Sequence, residues 1–168
     1  MDCDGGTARV GLVATIGVIS DTHGLLRREA RAALASVDRI IHAGDIDDRA
    51  TLQWLSTLGP VTAVRGNCDR GSWADTLPEQ QRLTVDGVTL HVVHAIEHLT
   101  FDPQSQGVSV VISGHSHQPR KELYDGVLYF NPGSAGPRRF GRPVSLGKLH
   151  IGSDGIRGEI IVLTEDDR

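Results

Sequence analysis

TIGVISDTHG, residues 15–24, is the stretch whose reading decides the fold. The apolar, β-branched run Thr15–Ser20 ends abruptly in Asp21-Thr22-His23-Gly24. A short run of this kind, closed by turn residues, reads as a buried strand with polar side chains at its carboxyl end. The pattern recurs in RIIHAGD (39–45), VTAVRGN (61–67), VTLHVVH (88–94) and VSVVISGHSH (108–117). Each places Asp, Asn or His just beyond a strand. In the first half the intervals carry helical spacing. Leu26, Ala30, Ala33, Leu34 and Val37 line one face of Leu25–Val37, with arginines opposite. A second helix runs from Ala50 to Leu58, capped by Asp47 or Asp48 and stopped by Gly59-Pro60.

Strand and helix alternate up to Val64, which predicts parallel strands. The second half changes character. Asp86-Gly87, Asp125-Gly126 and Ser153-Asp154-Gly155 each sit between two β-rich runs and signal hairpins. A sheet system with parallel and hairpin parts and few helices is expected. Residues 1–13 read as a flexible N-terminal extension and 14–168 as one domain.

The 168 residues are 39% hydrophobic and 23% charged, ordinary for a soluble globular protein with a sizeable core. A formal net charge of −4 provides no global basic field and disfavours a nucleic-acid partner. The two cysteines, Cys3 and Cys68, make no disulfide framework and fit a reducing cytoplasm. No apolar run reaches the ~20 residues that cross a bilayer, so no membrane association is expected. MDCDGGTARVGLVAT (1–15) carries acids where a signal peptide carries basic residues.

Seven strand-end residues are candidate metal ligands: Asp21, His23, Asp45, Asn67, His94, His115 and His117. Oxygen and nitrogen donors without sulfur suit divalent transition metals, and paired ions are a standard device for phosphoester hydrolysis. In open α/β sheets the carboxyl edge is where ligands bind. Residues two apart in an extended segment point the same way, so Asp21 and His23 reach one metal. One ion takes Asp21, His23 and one histidine of the 115/117 pair. A second takes Asn67, His94 and the other histidine, with Asp45 bridging. Each motif alone is an ordinary turn or a packed histidine; the five in this order carry the reading.

SDTHG, HAGD, RGNCD, His94, GHSH and NPGS (131–134) together resemble the calcineurin-like metallophosphoesterases, most closely their small single-domain phosphodiesterase branch, from about Ile16 to Leu163. The resemblance implies a four-layer α/β/β/α sandwich of two mixed β-sheets flanked by helices. It implies hydrolysis of small phosphodiesters by a metal-bridging hydroxide. Asp21, His23, Asp45 and His117 would hold the first ion and Asp45, Asn67, His94 and His115 the second. Mn²⁺ suits the oxygen ligands best, and Fe, Ni or Zn also fit N/O sites. Asn67 and Asp45 join Asp69, which buttresses the site from behind, as the catalytic group. Small family members often pair, so a homodimer is an expectation.

Two departures bear on chemistry. Where family members read His-Gly-His, this chain reads His94-Ala95-Ile96, and His98 is the residue that would fill the vacated place. Where larger relatives carry a leaving-group histidine after the Asn, this chain has Cys68, a poorer acid at neutral pH. Arg65, Cys68 and His98 are the candidate substrate contacts; Arg138, Arg139 and Arg142 are further candidates. The competing readings are a non-catalytic scaffold resembling the retromer phosphoesterase-like subunit, and a nuclease. The complete ligand set opposes the first, and the acidic charge with Cys68 opposes the second. With no insertion long enough for a capping domain, a fairly open site is expected.

Overall fold

The computed structural model describes residues 11–164. Three strands, β1 (Leu12–Ile19), β2 (Arg39–His42) and β3 (Val61–Ala63), run parallel. They are joined by α1 (Arg28–Leu34) and α2 (Arg49–Ser56). The next strands are β4 (Gln80–Val85), β5 (Val88–Val93), β6 (Val110–Ile112), β7 (Arg120–Tyr124) and β8 (Val127–Asn131). β9 (Ser145–Gly152) and β10 (Gly155–Val162) then return to the first sheet. Its order is β10-β9-β1-β2-β3, and the second sheet reads β4-β5-β6-β8-β7. Both are mixed: β5, β6 and β8 are parallel, while β4 and β7 pair antiparallel at the edges.

Turn chemistry sets the hairpins. Asp86 and Gly87 have φ of 47° and 79°, and Asp125 and Gly126 have 47° and 76°. Two successive left-handed residues match the twist of the flanking strands, which is why Asp-Gly is favoured there.

Side-chain alternation makes the layers. Ile16 and Val18 of β1 and Ile41 of β2 face Leu90, Val92, Val110, Ile112, Leu128 and Phe130 of the other sheet. Ile19 and Ile40 point the opposite way, onto Ala30 and Leu34 of α1 and Leu55 of α2. The outer face of the second sheet is covered differently. Val111 and Val127 lie under Ile96, Leu99 and Phe101, on a segment whose regular structure is two 3₁₀ turns, Ile96–His98 and Gln104–Gln106. The α/β sandwich holds, with its layer on this side thinner than a helix would make it. Both α-helices are also short. The first begins at Arg28, two residues after the first residue of its apolar face, Leu26, and ends at Leu34. β1 starts at Leu12, which pairs with Gly152, so it takes in the last residues of the stretch expected as an extension. Positions 1–10, including Cys3, lie outside the described residues. No helix among those described is long and apolar enough to cross a membrane.

The sheets meet closely at Phe130, which is 1% exposed. A Cβ on Gly147 would lie 2.4 Å from its Cε1, and one on Gly158 2.9 Å from its Cε2. Two glycines on adjacent strands thus make a flat floor for one ring. Phe130→Ala is expected to cost about 3–5 kcal/mol in urea unfolding, and Gly147→Val at least as much by wedging the sheets apart. A loss below about 1 kcal/mol in either variant would contradict this packing.

Candidate metal centre

Six chain segments arrive at one end of the sandwich. Asp21, Asp45 and Asn67 follow β1, β2 and β3, and His94, His115 and Asn131 end or follow β5, β6 and β8. Backbone hydrogen bonds zip the first two loops together: Asp21 N–H to Gly44 O (3.0 Å), His23 N–H to Asp45 O (3.1 Å) and Gly24 N–H to Ile46 O (2.9 Å). Gly114 N–H donates to His94 O at 2.8 Å, tying the second sheet's loops likewise.

The backbone here is strained. Nine non-glycine residues among those described have left-handed φ. Asp21 (54°), His23 (45°), Asp45 (54°), Asp47 (63°), His115 (68°) and His117 (57°) are six of them. Such conformations cost of order 1–3 kcal/mol each and persist where the surroundings impose them. They correct the extended-strand argument for Asp21/His23 and His115/His117. Both members of each pair are left-handed, so the chain curls at each ligand instead of alternating across a strand.

The donor atoms form two abutting groups. In the first, Asp21 Oδ1 lies 3.2 Å from His117 Nε2 and 3.9 Å from His23 Nε2. In the second, Asn67 Oδ1 lies 3.0 Å from both His94 Nε2 and His115 Nδ1. Asp45 Oδ2 sits between, 3.9 Å from His23 Nε2 and 3.3 Å from His94 Nε2. His117 thus goes with Asp21, and His115 with Asn67. Cys68 Sγ also lies within 4.8 Å of donors from His23 and Asp45.

Tautomers show what the groups await. His23 Nδ1 faces Asp47 Oδ2 at 3.0 Å, and His94 Nδ1 faces the Ala43 carbonyl at 2.7 Å. Each acceptor can hold an Nδ1–H, and in the neutral ring with that tautomer the Nε2 lone pair is aimed at oxygens. A lone pair against carboxylate oxygens is repulsive unless a proton or a cation stands between. Asp21 Oδ1 and His23 Nε2 are buried without a hydrogen-bond partner, which a native interior rarely tolerates. An outer carboxylate or carbonyl on a histidine's far nitrogen is the usual support of a metal ligand. The carboxylate, imidazole and amide donors fit divalent cations.

Electrostatics agrees. Burial works against charge on Asp45, yet hydrogen bonds from His94 and the Cys68 N–H (2.8 Å) hold its carboxyl well below the usual range. Burial likewise opposes charge on His94, but Asp45 and Asp21 outweigh it and raise its pKa. Desolvation and the nearby Asp45 carboxylate push the Cys68 thiol up to about 11.

Asp69 stands behind the donors. Its Oδ1 accepts from Ile46 N–H (2.7 Å) and Asp47 N–H (2.8 Å), and its Oδ2 from Asp45 N–H (3.0 Å) and Gly66 N–H (2.7 Å). Both oxygens are engaged by the backbone, so this residue, grouped above with the catalytic ones, shapes the ligand loops from behind. Gly66 packs so closely that a Cβ would lie 2.1 Å from Asp45 Oδ1. His42, fully buried, accepts from Gly44 N–H at Nδ1 (3.2 Å) and faces Thr22 Oγ1 from Nε2 at 3.0 Å. Ser20 Oγ donates to Asp21 Oδ2 (2.6 Å), and Ser134 Oγ of the NPGS segment to Asp21 O (3.0 Å). Asp48 caps α2. Asp47 therefore serves His23, a role that its place in an Asp-Asp pair concealed.

An open cavity of about 690 Å³ adjoins the second group, lined by Asn67, His94, His115, Arg65, Arg70 and His98 among others. Arg65 is held by Asp75 (3.1 Å) and by Asp69 O (3.2 Å). Arg138, Arg139 and Arg142 lie on a separate loop.

The sequence profile of the calcineurin-like phosphoesterase superfamily domain matches residues 15–154. A probable metallophosphoesterase of Methanothermobacter thermautotrophicus is 36% identical over 159 residues, covering 87% of this chain and 91% of that one. The phosphodiesterase YfcE of Escherichia coli is 34% identical over 101 residues, covering 53% and 52%. In structure, Vacuolar Protein Sorting 29 of Cryptosporidium parvum superposes with a TM-score of 0.73 at 15% identity, covering 92% of this chain and 100% of that one; this likeness concerns the fold alone.

Two outcomes are expected. Asp47→Asn removes the charged partner of His23 and should weaken metal binding about 10–100-fold in a metal titration. An unchanged affinity would detach Asp47 from the centre. Burial first of all lowers the pKa of His42 to about 4, against 6.5 in the unfolded chain. The unfolded state therefore binds the extra proton between these values. Metal-free protein should lose about 3 kcal/mol as pH falls from 6.5 towards 4, a slope absent from His42→Asn. Equal slopes in urea unfolding of the two proteins would refute it.

Proposed function

Because the chain belongs to the calcineurin-like phosphoesterase superfamily, we propose that it is a phosphodiesterase working on small diesters with two divalent metal ions, manganese favoured. Asp21, His23, Asp45 and His117 would hold one ion, and Asp45, Asn67, His94 and His115 the other. The observation that carries this reading is the shared position of Asp45 Oδ2, between His23 Nε2 at 3.9 Å and His94 Nε2 at 3.3 Å. The name of the Escherichia coli relative supports a diester. The intact donor set favours an enzyme over a scaffold.

When bound, the metal pair supplies the Lewis acidity that makes water a nucleophile at neutral pH. The chain does the rest. The depressed pKa of Asp45 keeps its carboxylate ionised at neutral pH. Asn67 Oδ1 is turned towards His94 and His115, which leaves Nδ2, in contact with Cys68 Sγ at 3.5 Å, to donate to a phosphoryl oxygen. The adjoining cavity receives one ester arm, with Arg65 on its wall. Cys68, its thiol pushed up to about 11, is a weaker general acid than an imidazolium at that position would be.

Manganese-reconstituted protein should therefore hydrolyse bis(p-nitrophenyl) phosphate, and aryl diesters much faster than alkyl ones. Rates independent of leaving-group pKa would remove the missing-acid argument. Asp45→Ala should reduce kcat/KM at least about 10³-fold, the scale of losing a principal electrostatic element. Retained activity in that variant would refute the shared-ligand reading.

A further inference from the structure

Of the nine non-glycine residues with left-handed φ, six lie in the ligand loops and two in Asp-Gly hairpin turns; the ninth is Phe140, at 57°. A bulky residue in that region is a genuine outlier. Phe140 is also 76% exposed, the most exposed of the large hydrophobic residues named among those described. It is not remote. Its ring stands edge-on to the His117 imidazole with centroids 5.7 Å apart. The Arg142 guanidinium lies 5.6 Å from its centroid. Arg138 and Arg139 precede it in the same loop, both exposed.

The root of this loop is fixed to the metal centre. Ala135 N–H donates to Ser20 O (3.0 Å), Ser134 Oγ donates to Asp21 O, and Arg27 Nε donates to Gly136 O (3.1 Å). Gly136 sits so near the ligand loop that a Cβ there would lie 2.3 Å from Thr22 O. A firm base thus holds an open aromatic face beside His117, across the ligands from the cavity at Asn67. The chain is net acidic, yet three arginines gather within residues 138–142. An open ring in a cationic frame is how proteins hold a nucleobase while its phosphate is engaged nearby.

We propose that Phe140 is a stacking shelf for a base-bearing arm of the substrate, so that small nucleotide-type diesters are the preferred substrate class. The arginines add attraction for the phosphate and for the π-face of the base, and the other arm enters the cavity. The proposal rests on the phosphoesterase reading for its catalytic meaning, but its test does not need turnover.

Manganese-loaded protein is titrated by calorimetry with thymidine 5′-monophosphate and with deoxyribose 5-phosphate, which lacks the base. The nucleotide should bind about 10-fold tighter, the increment of one base–aromatic stack. Phe140→Ala should erase the increment and Phe140→Trp keep it. Equal affinity of the two probes for the unmodified protein overturns the proposal, as does an increment that survives Phe140→Ala. Should sedimentation show a dimer that Phe140→Ala dissociates while the increment survives, the ring is a contact between copies and the shelf is refuted. Failure to cleave either thymidine 5′-(p-nitrophenyl phosphate) or ethyl p-nitrophenyl phosphate would sink the phosphoesterase reading instead, while the binding increment still decides the shelf.

Discussion

One buried carboxylate organises this end of the molecule. Asp69, 1% exposed, accepts four backbone N–H groups from two loops. A charged acceptor strengthens each of those bonds, and the dry surroundings strengthen them again. The N–H groups belong to Asp45, Ile46, Asp47 and Gly66, so one side chain sets the path of the chain on either side of the central ligand. Asp45 can then sit left-handed with its Oδ1 on the Cys68 amide and its Oδ2 free towards His23 and His94. Remove the carboxylate and four donors are left unmatched in a closed space, and the strained conformations lose what imposes them.

The rest of the centre is arranged against its own charge. Two buried carboxylates and four imidazoles crowd together, and the support is directional. The Ala43 carbonyl and Asp47 face the outward nitrogens of His94 and His23, His42 stays neutral because it is sealed from water, and Thr22 and Ser20 bond to His42 and Asp21. Such an arrangement is costly without a cation and stable with one, which is what couples metal affinity to folding.

Much of this was legible in the sequence. The β-branched runs ending in Asp, Asn or His marked the strands and their functional ends, and Asp-Gly marked three hairpins. Three things were not legible, each for a physical reason. The pairs Asp21/His23 and His115/His117 look like extended i, i+2 neighbours, and nothing local announces that both members are left-handed; the loops impose it through long-range hydrogen bonds. Asp47 and Asp48 look interchangeable as caps, but only one lies at the helix end while the other turns to His23. The covering of the second sheet carries no helical period because two 3₁₀ turns and Phe101 supply it.

Each donor group draws on both sheets: Asp21 and His23 with His117, and Asp45 and Asn67 with His94 and His115. The first group therefore joins residues almost a hundred positions apart in the chain. An amino-terminal piece ending before His117 has the early ligands and nothing to close them. A tightly held ion would then report, in a single binding event, that the chain has been made as far as His117 and that its two sheets have been brought face to face.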